Sequence, residues 1–566
     1  MKYSSKINRH TMLCLAFVVS TCIGSAQTSL TATQWRTDLK YLQQVVHSKY
    51  SNLFQKVTAT QFDSAVAALD KRIGTLNDIQ MNIEMAKLIA MFQVGHTNVR
   101  MGSGSGNNVN FWVHPLPVTF YPFSDGLYIK SIHSQYKDAI GGKVTRIGKT
   151  DIATALEKIR PAIAFENEQG FKNMLQYYLG LPEYLYGVGI IDDMKTVSVS
   201  YEKNGQEKTI VLQPGPININ DHGFGGIKSP AGWTDAYDQL NTPSSVLWLK
   251  EPGKIRYFEY LPATKTVYVR HSAVQDEPGE TIASFFAKVF QFVENNDVEK
   301  FVLDIRLNGG GNNYLNKPVI TGIIQSKKIN KKGHLFIITG KATFSAAQNL
   351  TNELEKYTEA IFVGEPTSEN VNFYGDTRTE ILPESKLNVS LSWLWWQNLD
   401  PRDKRQWTAP SLSTDLSFDN YKSGFDPAMN AIMQYRDEAA IEDKIREQVL
   451  AGRENEALQI ATQYLKNPLY RYASSNLENK LNNYGYTLIN ENKLKEANRL
   501  FAINVKLFPE SANVYDSYAE SFWKMGNKDE AIRYYNMAIA KDPRGATGDN
   551  ARNVLKQIEA EGKKGF

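Results

Sequence analysis

Two apolar runs, Lys300-Phe-Val-Leu-Asp-Ile-Arg306 and His334-Leu-Phe-Ile-Ile-Thr339, each empty into a loop of small residues. Runs this short and this apolar belong to strands buried on both faces, as in a parallel sheet. After the first, Asn308-Gly-Gly-Gly311 lets the backbone turn sharply with its N–H groups exposed. After the second, Gly340-Lys-Ala-Thr-Phe-Ser-Ala-Ala-Gln348 provides a tight turn and a helix that begins near Ser345. A serine in the first turn of a helix sits among unpaired N–H donors, so negative charge on a nearby oxygen is stabilised there. Acyl transfer needs both features, a hydroxyl for attack and fixed donors where charge develops. The spacing alone fits equally well a plain N-cap serine beside an ordinary glycine turn.

In that order, Leu303-Asp-Ile-Arg-Leu-Asn-Gly-Gly-Gly311, Thr343-Phe-Ser-Ala-Ala347 and Val363-Gly-Glu-Pro-Thr367 resemble three successive motifs of the C-terminal-processing and tricorn-core superfamily of serine peptidases, the tail-specific protease type. The resemblance runs from about Trp35 to Met433. It implies a crotonase-like αβ catalytic domain and a serine endopeptidase with Ser345 as nucleophile. Relatives of the processing type place a lysine about one strand beyond the serine. Here no lysine lies between Lys356 and Lys386, and Asn370 stands near the expected place. Tricorn-like members draw a histidine from far upstream, and Phe92-Gln-Val-Gly-His-Thr-Asn-Val-Arg100 is similar to that segment.

His96 is therefore the expected general base, since an imidazole can take the Ser345 proton near neutrality and return it to the leaving amine. Relatives often carry an acid just before this histidine, where this chain has Val94 and Gly95. The resemblance also implies a carboxylate that orients the imidazole, shortly before a proline-containing strand. Asp400-Pro-Arg-Asp-Lys-Arg-Gln-Trp-Thr-Ala-Pro410 offers Asp403, the favoured choice, and Asp400. Either fits equally a solvated loop charge beside Arg402 and Arg405. The oxyanion donors implied are the backbone N–H groups of Gly310, with Gly311 its neighbour, and Ala346. Asp304 and Arg306 are expected to fix the loop, because a buried ion pair has to be well hydrogen-bonded to offset its desolvation.

Lys2, Lys6 and Arg9 precede the apolar stretch Met12-Leu-Cys-Leu-Ala-Phe-Val-Val19, and Gly24-Ser-Ala26 supplies small residues before Gln27. This pattern reads as a signal peptide over residues 1–26 and a periplasmic or secreted destination. Cys22 fits a lipoprotein cysteine poorly, with Thr21 before it. Both cysteines, Cys14 and Cys22, fall in that segment, so a mature chain has no thiol nucleophile and no disulfide. Losing its three basic residues lowers the formal charge from +4 to +1, a balance that gives no reason to expect nucleic acid. No later apolar run reaches the roughly twenty residues of a membrane span. No His-Glu-x-x-His or paired-cysteine spacing indicates a metal, and no cofactor is expected.

Residues 27–115 read as a helical cap that delivers His96, with Trp35, Leu39, Leu42 and Val46 on one helical face and Ile83, Ala86, Leu88 and Ile89 on another. Residues 116–215 turn to short strands that resemble a PDZ-like module, a type that holds an extended peptide on a sheet edge. Residues 216–435 form the expected catalytic domain, in which Trp393 and Trp395 share a face assigned to the core and Trp396 is free to line the substrate cleft. Over residues 440–566, Ala497, Phe501 and Pro509 recur as Ala531, Tyr535 and Pro543, and Gly485 is matched by Ala519. This looks like two tetratricopeptide repeats with a worn third around Ala457, Ala461 and Pro468.

The chain thus reads as a multi-domain α/β protein acting on a peptide or protein substrate, with a protein partner possible on the helical repeats. The alternative is a catalytically inactive peptide-binding or scaffolding protein on the same fold, since fold does not establish function. Acyl-CoA chemistry of the crotonase type shares the oxyanion logic but needs no activated serine.

Overall fold

The computed structural model describes residues 29–102, 111, 113–215, 230–239 and 246–564. The signal-peptide reading, with both cysteines, lies outside the described residues.

Six strands form the central sheet in the order Leu412–Ser413, Ile361–Gly364, Leu335–Thr339, Lys300–Asp304, Thr266–His271, Arg256–Leu261. All neighbours are parallel except the last pair, which is antiparallel. Alternation along the strands sends Val267, Val269, Phe301, Leu303, Leu335 and Ile337 to one face. There they pack on Ile282–Asn295, Lys317–Gln325 and Ala346–Tyr357, three helices that bring Phe286, Val289, Val319, Ile323 and Leu350 to the contact. Tyr268, Val302, Phe336, Ile338 and Val363 occupy the other face and meet Ala428 and Ile432 of Pro427–Gln434. Covering both faces is what lets strands with no polar side be stable. The apolar runs of the sequence lie at the middle of this sheet.

At the N-terminus the helices Ala32–Lys49, Ala59–Arg72 and Asp78–Ala90 each begin with a capping box, Thr31 with Gln34, Thr58 with Gln61 and Asn77 with Gln80. The expected apolar faces are buried, Trp35, Leu39, Leu42 and Val46 on the first helix and Ile83, Ala86, Leu88 and Ile89 on the third. Their core continues without a break into a second sheet built on Val118–Phe123, Gly126–His133, Lys143–Ile147, Val197–Lys203 and Gln206–Leu212. The expected boundary at residue 115 therefore does not separate two cores. Trp233–Asp235, from the segment assigned to the catalytic domain, also pairs with Gly126–His133.

A long hairpin, Asn372–Ile381 and Asn388–Gln397, pairs with the short strand Asn98–Val99 just after His96. Its turn is held by the fully buried Asp38, whose carboxylate accepts the N–H groups of Glu384 and Ser385 at 2.7 and 2.8 Å. The reading of Trp393 and Trp395 as core is corrected here: they are 42% and 37% exposed. Val389 and Leu391, on the same face, are buried, but the strand leaves the core toward the open end of the hairpin. Trp393 instead lies under the Arg378 guanidinium at 4.2 Å, and Trp395 rests on Tyr374.

Beyond Tyr435 the described chain is helical, with Ile441–Leu450, Glu454–Lys466, Leu477–Asn490, Leu494–Leu507, Ala512–Lys524, Lys528–Lys541 and Ala546–Lys564; Glu454–Lys466 packs on Ile441–Leu450 and on Leu494–Leu507, and from Leu477 onward each helix packs on the next. Gly485 is small for a reason: a Cβ there would lie 2.4 Å from the Phe501 ring. Ala519, its counterpart, is fully buried.

Candidate active site

Ser345 follows the strand Leu335–Thr339 through Gly340 and a turn in which Thr343 N–H bonds back to Gly340 O. Its backbone is held at φ 57° and ψ −126°, a conformation that costs a side-chain-bearing residue about 1–3 kcal/mol. Such a turn between strand and helix lifts a serine hydroxyl clear of the sheet. Although Ser345 occupies the N-cap position of Ala346–Tyr357, its side chain makes no capping hydrogen bond. The hydroxyl faces His96 instead, with Oγ 3.0 Å from Nε2.

The imidazole is placed by three contacts. Thr97 Oγ1 accepts Ser392 N–H at 3.0 Å, and Asn98–Val99 then pairs with the hairpin, so the chain leaving His96 is fixed. Phe344 stacks on the ring at 4.4 Å and Phe373 lies parallel on the hairpin side at 6.0 Å. Gly95 explains the missing acid before the histidine: a Cβ there would lie 2.9 Å from the Phe344 ring. Burial between these rings lowers the imidazole from its usual range, with Glu166 and Asp376 pulling it back up.

Glu369, and neither predicted aspartate, stands behind the ring. Its Oε1 is 3.0 Å from His96 Nδ1, a close charge contact rather than an in-line hydrogen bond, and its Oε2 accepts the backbone N–H of Ser345. The side chain is fully buried, which pushes the carboxyl well up, opposed by the Ser345 N–H. Asp400 instead chelates Arg402 at 2.7 and 3.0 Å, and Asp403 binds Arg405, which is itself forked onto Glu355. Both aspartates are thus loop charges, held low by their arginines. Their segment reaches the site only through backbone: Asn372 Nδ2 donates to the Asp400 carbonyl at 2.9 Å. Glu369 lies two residues beyond Val363-Gly-Glu-Pro-Thr367 and beside Asn370, and that proximity is the signal the sequence carries for it.

Gly310 lies against the serine so closely that a Cβ would come within 2.6 Å of Ser345 Cβ and 3.0 Å of Ala346 N. With φ at 101°, glycine is required there twice over. Its N–H, the expected oxyanion donor, is taken by Asn308 Oδ1 at 2.9 Å. Gly311 serves the fold, bridging to Val274 where a Cβ would meet the Val274 carbonyl at 2.2 Å. Among the described residues the N–H of Ala346 is without an acceptor at the start of its helix. Behind the loop, Asp304 accepts Arg306 Nε at 3.0 Å and Tyr268 OH at 2.8 Å, and Arg306 is forked onto Asp426 at 3.1 and 2.9 Å.

Ser345 and His96 open into a cleft of about 380 Å³ lined further by Phe165, Glu166, Met174, Arg100 and Thr377. A second, more enclosed cavity shares Asn173, Tyr177, Leu307 and Ala342 with it. His96, Glu166 and Glu369 bring ligand-type atoms within 4.8 Å of one another, the one such trio among the described residues. Within it, His96 Nε2 faces the Ser345 hydroxyl and Nδ1 the Glu369 carboxylate.

The solved structures that this chain resembles include several proteases. Mature CPAF, solved with lactacystin, aligns with a TM-score of 0.51 and 12% identity over 75% of this chain and 99% of its own, and the two share a fold. The photosystem II D1 C-terminal processing protease aligns at 0.34 and 12% identity, over 73% of this chain and 99% of its own. The tricorn protease aligns at 0.35 and 10% identity, over 71% of this chain and 36% of its own. No family model and no curated protein sequence matches the chain. Among the described residues, no helix is long and apolar enough to cross a membrane.

Proposed function

We propose that this chain is a serine peptidase that cleaves peptide bonds through an acyl-enzyme on Ser345. One observation carries the reading: the Ser345 hydroxyl leaves its helix uncapped and sits 3.0 Å from His96 Nε2. His96 takes the hydroxyl proton as Oγ attacks the carbonyl carbon, and Glu369 stabilises the imidazolium that forms. Ala346 N–H, at the positive end of its helix, receives the developing oxyanion. His96 then gives the proton to the leaving amine, and water repeats the sequence to free the acid. Gly310 contributes by its lack of a side chain, which lets the loop lie against the nucleophile.

The same proposal takes the central sheet as a crotonase-like catalytic domain, the second sheet as a PDZ-like module and the C-terminal helices as tetratricopeptide repeats. Their binding surfaces supply a peptide or protein substrate and a protein partner, and the chain acts as an exported endopeptidase. A fluorophosphonate probe tests the chemistry without a known substrate. Wild type is expected to be labelled and Ser345→Ala not; well-folded wild type that resists the probe overturns the hydrolase reading and leaves the inactive binding protein.

A further inference from the structure

Glu166 reaches the site from the loop ahead of the helix Glu168–Tyr178, and only 5% of the residue is exposed. Its approach is built into neighbouring residues. Asn167 Nδ2 donates to the Thr367 carbonyl at 3.3 Å, and Gly170 sits so near Ser368 that a Cβ would lie 3.0 Å from its carbonyl oxygen. The carboxylate accepts Gly95 N–H at 3.4 Å on one oxygen and Asn370 N–H at 3.1 Å on the other. A carboxylate offers about four lone-pair sites, so two are left over. Beside it, His96 Nδ1 and Glu369 Oε1 are buried and make no hydrogen bond, although they lie 3.0 Å apart. Glu369 is fully buried, and its unpartnered oxygen points into the group.

Two carboxyls and an imidazole gathered in a buried site oppose one another's charge and together suit a cation. The Lys56 ammonium approaches but donates to the main-chain oxygens of Glu166 and Gln93, both at 3.2 Å. We propose that His96 Nδ1, Glu369 Oε1 and the Glu166 carboxylate form an inhibitory site for a zinc ion, with water from the cleft as the fourth ligand. Zinc bonds to nitrogen and oxygen are about 2.0–2.2 Å long, so one ion bridges Nδ1 and Oε1 where they stand. The three ligand atoms lie within 4.8 Å of one another, so Glu166 joins after a shift of under about 1 Å. The imidazole selects zinc over magnesium and calcium, which take oxygen donors and need more of them. Gly95, His96, Glu166 and Ser368 line the cleft beside Ser345 and give the ion a way in.

The inhibition rests on the reading of Ser345, His96 and Glu369 as a triad. A neutral imidazole carries one N–H, and in the working tautomer it is on Nδ1, with the Nε2 lone pair toward Ser345 Oγ. Zinc takes the Nδ1 lone pair, so the proton moves to Nε2 and no lone pair is left there for the hydroxyl proton. Glu369, bound to the ion, also ceases to stabilise the imidazolium.

The test uses the full chain freed of metal, zinc chloride as the probe and competition with a chromophoric chelator as the readout. Wild type and Ser345→Ala are each expected to bind one ion at least about tenfold more tightly than His96→Asn, Glu369→Gln and Glu166→Gln do. Zinc should slow fluorophosphonate labelling of wild type and a chelator should restore it, whereas excess magnesium or calcium should leave the rate unchanged. Cobalt(II) tests wild type by itself, whatever the variants do to folding. The intense visible bands of a four-coordinate ion, displaced by zinc, are expected, and the weak bands of a six-coordinate ion overturn the proposal. Equal zinc affinity in wild type and the three ligand variants places the ion elsewhere and overturns it as well. Tight binding that leaves labelling unchanged overturns the inhibition. Metal-free wild type that resists the probe overturns the peptidase reading instead, and zinc affinity still decides the metal site.

Discussion

Glu369 binds the backbone N–H of Ser345 with one carboxylate oxygen while the other lies 3.0 Å from His96 Nδ1. The main chain of Ser345 and the carboxylate behind His96 are therefore one unit. A shift of the loop 365–371 moves both partners of the imidazole together, and the strained backbone of Ser345 is held by the carboxylate that also faces the ring.

Removing that charge should be costly. Glu369→Gln is expected to lower kcat/KM on a fluorogenic protein substrate by about 10³- to 10⁴-fold, as loss of the orienting acid does in other triads. Asp400→Asn and Asp403→Asn should each stay within about threefold, because both aspartates bind arginines at the surface. A large loss in Asp403→Asn with little in Glu369→Gln would return the role to the loop beyond Trp396.

The acid side of the pH profile follows from the buried imidazole. Its folded value lies below the ordinary 6.5, so activity should persist to more acidic pH than a solvent-exposed histidine allows. Stability has the opposite sense. Below 6.5 the unfolded chain binds the proton more readily than the folded one, so folding free energy is lost as pH falls through that range. Wild type should lose more melting temperature between pH 7 and pH 5 than His96→Asn does, measured by calorimetry in matched buffers.

The sequence made the central strands legible because a doubly covered strand has to be apolar throughout, and Phe301–Leu303 and Leu335–Ile338 are. It also made His96 and Ser345 legible as a pair, through motifs that fix their local backbone. Asp400 and Asp403 lie on their arginines and Glu369 beside His96 for a physical reason: Glu369 is placed by the turn that carries it under the ring, and a turn's reach is not written in residue spacing. Glu166 left no signal at all, since it is delivered by the β-rich module through Gly170 and Asn167. The tryptophans failed differently. Alternation correctly put Trp393 and Trp395 on one face, but not where along the strand that face runs out of neighbours.

The glycine loop offers a sharper comparison, because two adjacent glycines meet different surroundings. A Cβ at Gly309 would meet nothing within 4 Å, whereas one at Gly310 would strike Ser345 and needs φ near 101°. Gly310→Ala should therefore destabilise by about 1–3 kcal/mol and suppress probe labelling, while Gly309→Ala should melt within a degree or two of wild type. Equal melting of the two variants would mean that the loop relaxes away from Ser345.

The C-terminal helices give a last, independent check. Gly485 packs its Cα against Phe501, as Ala519 fills the matching position in the next pair, and both contacts lie inside the apolar cores of the C-terminal helices. Gly485→Val inserts three carbons where one already meets the ring at 2.4 Å, so it should cost about 1–3 kcal/mol through overpacking. Because the Ser345 cleft is lined by none of these helices, the labelling rate of the folded fraction should be unchanged. Protease digestion should then cut first within residues 440–564 and leave the labelled remainder intact. Simultaneous loss of labelling and of the C-terminal helices would instead mean that these helices hold the central sheet together, through contacts such as Arg471 with Asp415.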